Sequence, residues 1–229
     1  MGRGSLRTRF TGSALVRLLV RLTDAEAPEP KQAFAERLSQ WLAWTDAISL
    51  SAALNARPAE AAPGRRSGPS AQIEAHEAEF RRVKAALATA ITDDRAPVDA
   101  DADFSSHRRR YGARQQAMEA GIGPLRERLR AALAASSPEM ARLAAVDAVM
   151  EQVLSEQERV LLSSVPRLLE RRFERLRQDD PDGWGRPGGG LEVFGTDMRA
   201  VLLAELEIRL QPAEGLLEAL RNRQASRHE

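Results

Sequence analysis

Apolar positions recur along most of the chain at the three- and four-residue spacing of a helix face, and no segment shows a convincing strand alternation. Leu15, Leu18, Leu19 and Leu22 share one face while Arg17 and Arg21 form a ridge on another, which predicts an amphipathic helix of about three turns from Thr11. The run Ala27-Pro28-Glu29-Pro30 ends it, and Pro30 suits the first turn of a second helix. That helix, predicted over 31–54, is the most apolar in the chain. Phe34, Leu38, Trp41, Thr45, Ile48 and Ala52 form its stripe, and Leu42, Trp44, Leu50 and Leu54 spread the apolar surface around its second half. A helix of that character is expected to be central and covered by protein, its own or a neighbour's.

Residues 55–70 then turn to Pro, Gly, Ala, Ser and Arg, which predicts a flexible linker over 57–70 between an N-terminal helical pair (1–56) and a helical bundle (71–229). Ile73, Phe80, Val83, Leu87 and Ile91 predict a third helix over 71–91, followed by an acidic loop carrying Asp93, Asp94, Asp99, Asp101 and Asp103. Residues 104–136 read as helical and basic. Gly121-Ile122-Gly123-Pro124 is expected to break or kink them, because inside a helix glycine costs about 1 kcal/mol and proline about 3 kcal/mol. Ser137 as cap and Pro138 in the first turn open the next helix. Along it Leu154, Leu161 and Leu168 recur every seven residues beside Val146, Val153 and Val160, the spacing of a packed bundle or short coiled coil, with a kink expected at Pro166. Asp179 to Gly190 is a turn-rich loop, a long helix follows over 191–210, and Pro212 is expected to start a short terminal one. The expected fold class is all-α: an irregular helical bundle with long kinked helices and no β-sheet.

Charge narrows the function classes. Basic and acidic residues number 34 and 33, so no global field draws the protein to nucleic acid or anionic lipid. Lys31 and Lys84 are the two lysines; subtracting them from 34 leaves 32 arginines, which beside so many alanines reads as codon bias. The absence of cysteine excludes disulfides, thiolate metal sites and thiol nucleophiles, and fits a reducing compartment. The best apolar run, 14–22, is interrupted by Arg17 and Arg21 and carries no cleavage site, so a cytoplasmic protein without an integral membrane segment is expected.

Catalytic machinery is not visible. Residues 190–196 read G-x-x-x-x-G-T but lack the lysine of a phosphate-binding loop, and no strand precedes them. His76, His107 and His228 are too scattered for a metal site, and neither a nucleophile elbow nor a dinucleotide fingerprint occurs. No catalytic, cofactor-binding or metal residue is assigned, and no cofactor is expected. The interaction candidates are Trp41, Trp44, Asp46 and Trp184. Asp46 is the only charge between Trp41 and Leu54; it is either a functional acid perturbed by burial, a structural ion-pair member facing an arginine such as Arg17 or Arg21, or a rim residue. Trp184 either plugs a notch of its own domain or meets a partner. A candidate basic patch comprises Arg108, Arg109, Arg110, Tyr111 and Arg114, with Tyr111 available to stack on a base. The basic runs 126–130 and 167–177 extend that idea, although Glu170 and Glu174 interleave the second at pairing distance.

Two stretches carry a family resemblance: TGSALVRLL at 11–19 and FAERLSQWLAWTDAISLSAAL at 34–54. They resemble a proteobacterial family labelled domain of unknown function 3348, most distinctively over the first quarter of the chain. The resemblance implies no particular activity; it implies genes often found beside those for MotA/TolQ-like and OmpA-like envelope proteins. The expected function is a non-catalytic helical interaction or assembly factor, its partners other proteins or a second copy of itself. The alternatives are a nucleic-acid-binding accessory protein using the Arg-rich helices, and an enzyme of unfamiliar helical type with Asp46 as its acid.

Overall fold

The structure, a computed structural model, describes residues 13–23, 34–42, 44–55, 69–93 and 103–225. The first ten residues, most of the linker expected over 57–70, the body of the acidic loop and His228 lie outside the described residues. Eight helices make up the described part: α1 (Ala14–Thr23), α2 (Phe34–Trp41), α3 (Trp44–Asn55), α4 (Pro69–Thr92), α5 (Phe104–Ser136), α6 (Pro138–Leu162), α7 (Val165–Asp179) and α8 (Gly190–Ala225). No strand occurs among the described residues, and the fold is an all-α helical bundle.

The two longest helices, α5 and α8, pack on each other, and the rest of the bundle is laid around them. α6 runs along α5, α4 covers both α5 and α8, and α7 returns against α8. α1 seats on α7 and α8, whereas α2 and α3 lie on α6. Helix periodicity explains this order. α8 buries Phe194, Met198, Val201, Leu202, Leu206, Leu210, Ala213, Leu217 and Leu220, a continuous stripe in steps of three and four. α5 answers with Tyr111, Met118, Ile122, Leu125, Leu129 and Leu133. Each fully buried leucine or phenylalanine contributes about 1.5–3 kcal/mol relative to exposure, so the α5–α8 seam dominates the apolar stabilisation.

That burial explains where the helices depart from expectation. α5 continues through Gly121-Ile122-Gly123-Pro124, and α8 continues through Pro212. A proline removes one backbone donor in each, but Ile122 and Leu125 beside Pro124, and Leu210 and Ala213 beside Pro212, are buried, and their packing outweighs the local cost. Pro166 produces a break instead of a kink. α6 stops at Leu162, the Ser163 and Ser164 hydroxyls donate back to the carbonyls of Val160 and Leu161 at 2.7 Å, and Pro166 falls in the first turn of α7. The seven-residue line is thereby cut, and Val160 and Leu161 are exposed instead of packed in a coiled-coil seam. The Ser137 cap forms as expected, its hydroxyl accepting from the Met140 amide at 3.3 Å.

The largest difference concerns 31–54. Its described part forms two helices, α2 and α3, with Leu42 between them outside either helix, although neither Leu42 nor Ala43 is a helix breaker. α3 lies on α6 at the side of the bundle, not at its centre, with Trp44 81% and Ile48 54% exposed.

The glycine-rich stretch before α8 has a packing role. Gly188 takes a left-handed φ of 76°, and a Cβ on Gly190 would stand 2.7 Å from Cε3 of the Trp184 ring and 3.2 Å from the Leu176 carbonyl. Gly190→Ala is therefore expected to lower the unfolding free energy by about 1–3 kcal/mol in a urea titration. Gly215→Ala, where a Cβ meets nothing within 4 Å, should raise it by about 0.5–1 kcal/mol.

Candidate functional site

Four places in the structure hold the chemistry-bearing residues. At the first, Glu205 of α8 is 0% exposed. Its carboxylate accepts from the Tyr111 hydroxyl at 2.5 Å, from the Gln115 amide at 3.0 and 3.2 Å, and from Arg209 Nε at 2.9 Å. Burial and the adjacent carboxylate push the Tyr111 phenol above its ordinary range, so it stays protonated and donates. Arg209 reaches outward from this anchor, with Nη1 at 3.1 Å from Glu158 and 3.7 Å from Glu119. The sequence reasoning missed Glu205. Its signal is an acid on the apolar stripe of 201–210, four residues before an arginine, in a chain with a single tyrosine.

The second is an aromatic seat at the junction of α5, α7 and α8. Phe173 stands 4.8 Å from Trp184 and 5.1 Å from Phe194, both edge-on, and Phe104 adjoins both Phe173 and Phe194. Trp184 is buried here and fills a notch of its own bundle. His107 sits in the same seat, 2% exposed and edge-on to Phe194 at 4.9 Å, and neither ring nitrogen has a hydrogen-bond partner. Burial, with the positive charge of Arg110, holds its pKa below the ordinary histidine value.

The third place disperses the candidate basic patch. Tyr111 is fully buried against Glu205, so it cannot stack on a base. Arg108 pairs with Glu170 at 2.7 Å and lies 5.6 Å over the Phe104 ring. Arg109 is exposed, and Arg110 and Arg114 are half-buried. In the run 126–130, Arg126 holds Asp147 bidentately at 2.7 and 2.9 Å and meets Glu151 at 3.2 Å, and Arg130 joins both acids. These arginines therefore stitch α5 to α6.

The fourth is the outer face of α3. Trp44, Ala47, Ile48, Ser51, Ala52 and Asn55 line a shallow open cavity of about 480 Å³. Among the described residues no charged side chain lines it, and the Asn55 amide turns back onto the Ser51 carbonyl at 2.9 Å. Trp41 ends α2 and is half-buried; Asp46 is half-buried in the first turn of α3, where a carboxylate favourably meets the helix dipole. Among the described residues, no group of three or more His, Asp or Glu side chains is placed to hold a metal ion, and no helix is long and apolar enough to cross a membrane.

These features define a class: an all-α bundle whose long helices are tied by buried polar contacts and whose most exposed apolar face is a short helix on its side. The chain belongs to the family described as Protein of unknown function (DUF3348), whose model matches residues 1–222, well beyond the first quarter where the resemblance is most distinctive. No curated protein and no solved structure matches it.

The His107 seat yields a pH dependence. In the folded state its pKa is depressed below the unfolded value of about 6.5, so the unfolded chain binds the extra proton. Its contribution is complete above about pH 6.5 and is lost as pH falls from there through the folded pKa, at up to about 1.4 kcal/mol per pH unit. Urea titrations between about pH 7.5 and 5.5 should show wild-type stability falling, and His107→Phe should flatten that slope.

Proposed function

We propose that this protein is a non-catalytic helical interaction factor and that the outer face of α3 is where it docks. The observation that carries the reading is Trp44, 81% exposed on a face whose described lining is uncharged, beside Ile48 and the small residues Ala47, Ser51 and Ala52. Tryptophan is enriched at interface hot spots, and contiguous apolar surface on a charge-rich protein marks an interaction site. The N-terminal helices pack on the outside of the bundle, α1 on α7 and α8 and α2 and α3 on α6, an arrangement suited to presenting such a face. The MotA/TolQ-like and OmpA-like envelope proteins implied by the family resemblance are the first partners to test, together with a second copy of the chain.

Two features favour this reading over nucleic-acid binding: Tyr111 is buried, and Arg126 and Arg130 are paired with Asp147 and Glu151. The test is a photo-crosslinking amino acid placed at Ile48 in native cells, with the exposed Arg171 as control position. A covalent protein adduct is expected at position 48 and should disappear when Trp44→Ser is added. A band of twice the chain mass would identify the partner as a second copy. Labelling at 48 no stronger than at 171 would contradict the proposal.

A further inference from the structure

A cleft of about 310 Å³ opens between α5, α6 and α8, and it shares no residue with the α3 face. Its volume lies at the lower end of the range of about 300–1,000 Å³ typical of small-molecule sites. Two irregular helix positions border it. Gly123, next to Pro124 on α5, and Pro212 on α8 both line the cleft. Each proline deprives the carbonyl four residues earlier of its helical donor, and no packing need on this side explains Gly123, where an added Cβ meets nothing within 4 Å. Positions that break a local rule without a packing reason are where function is expected.

Met118, Ile122, Met150 and Leu154 supply its apolar wall, and polar and charged side chains, Glu151, Ser155 and Arg159 among them, line the rest. The charged groups differ in how firmly they are held. Arg126 is saturated by the bidentate Asp147 contact. Arg209, with its side chain only 10% exposed, is fixed at its inner end by the fully buried Glu205. Its outer end, Nη1, faces the cleft and meets two half-exposed rim carboxylates, Glu158 at 3.1 Å and Glu119 at 3.7 Å. Exposed ion pairs of that kind contribute little, whereas a ligand carboxylate meeting a guanidinium nitrogen already held in place binds through a short charge-assisted hydrogen bond. A cationic ligand would have to share Glu119 and Glu158 with Arg209, or Glu151 with Arg126 and Arg130, and enter beside Arg126 and Arg159.

The geometry points to this cleft as a binding site for a small amphipathic carboxylate. The ligand's carboxylate replaces Glu158 and Glu119 on Arg209, releasing them to solvent, and its hydrocarbon part lies on the methionine-lined wall, where thioethers adapt to varied shapes.

Thermal unfolding of the full chain with hexanoate, hexylamine or hexanol tests this. Hexanoate at about ten times its Kd should raise Tm by about 3–5 °C, with hexylamine and hexanol giving no comparable shift. Gly123→Leu should fold, since leucine is the better helix former and the space is open, and should abolish the hexanoate response by filling the cleft. Glu158→Gln, which removes a competitor for Arg209, should lower the hexanoate Kd roughly two- to fivefold. The assignment is overturned by any of three results: no response to hexanoate, an equal response to hexanol or hexylamine, or an undiminished response in Gly123→Leu.

Discussion

Burying the Glu205 carboxylate between α5 and α8 obliges the fold to surround it with donors, because an unpaired ion removed from water costs several kcal/mol. Tyr111 and Gln115, one turn apart on α5, and Arg209, one turn along α8, meet that demand. The apolar stripes of α5 and α8 bring the two helices together, but leucine against leucine tolerates sliding. The carboxylate does not: a shift of one turn would take from it one of its two α5 donors, Tyr111 or Gln115. Glu205 thus fixes the axial register of the longest helix pair, and the aromatic seat at one end and the cleft beside Arg209 inherit their positions from it.

With the register set, the fold tolerates local faults that would break an isolated helix. Two in-helix prolines and the Gly121 and Gly123 pair persist because their neighbours are buried, and two of these positions, Gly123 and Pro212, line the cleft. The described bundle therefore has a packed interior with a polar lock, an opening beside that lock, and an apolar face on α3. A docking role for that face and a ligand role for the cleft are compatible: the first uses the side of α6, the second the groove between α5, α6 and α8.

Much of the fold was legible in the sequence. The helical class, the Ser137 cap and the amphipathic first helix follow from spacing and capping rules that act over a few residues. What those rules misjudge is decided by contacts distant in the chain. Pro124 and Pro212 carry strong breaker signals, overruled by the burial of their neighbours Ile122, Leu125, Leu210 and Ala213 against the rest of the bundle. The heptad of Leu154, Leu161 and Leu168 was real in spacing, but a serine pair at 163–164 that offered its hydroxyls to the preceding turn cut it. The stretch 31–54 read as a buried rod because its composition is apolar, and composition does not say which element remains at the side once α5 and α8 have claimed the core. Of the candidate site residues, Trp184 could be read either way and is buried, Trp44 was named from the sequence and is exposed, and Tyr111 is buried against Glu205 instead of lying open in a basic patch. Glu205 was overlooked because an acid among charged helices looks like solvated surface until its partners, 90 and 94 residues away, are known.

The most direct measurement is a double-mutant cycle of Glu205→Gln and Tyr111→Phe in equilibrium urea unfolding. If Glu205 locks α5 to α8, Glu205→Gln loses about 3–5 kcal/mol, and Tyr111→Phe costs markedly less in that background than alone, a coupling of about 0.5–3 kcal/mol. A Glu205→Gln protein within about 0.5 kcal/mol of wild type, with the two substitutions additive, would contradict the account.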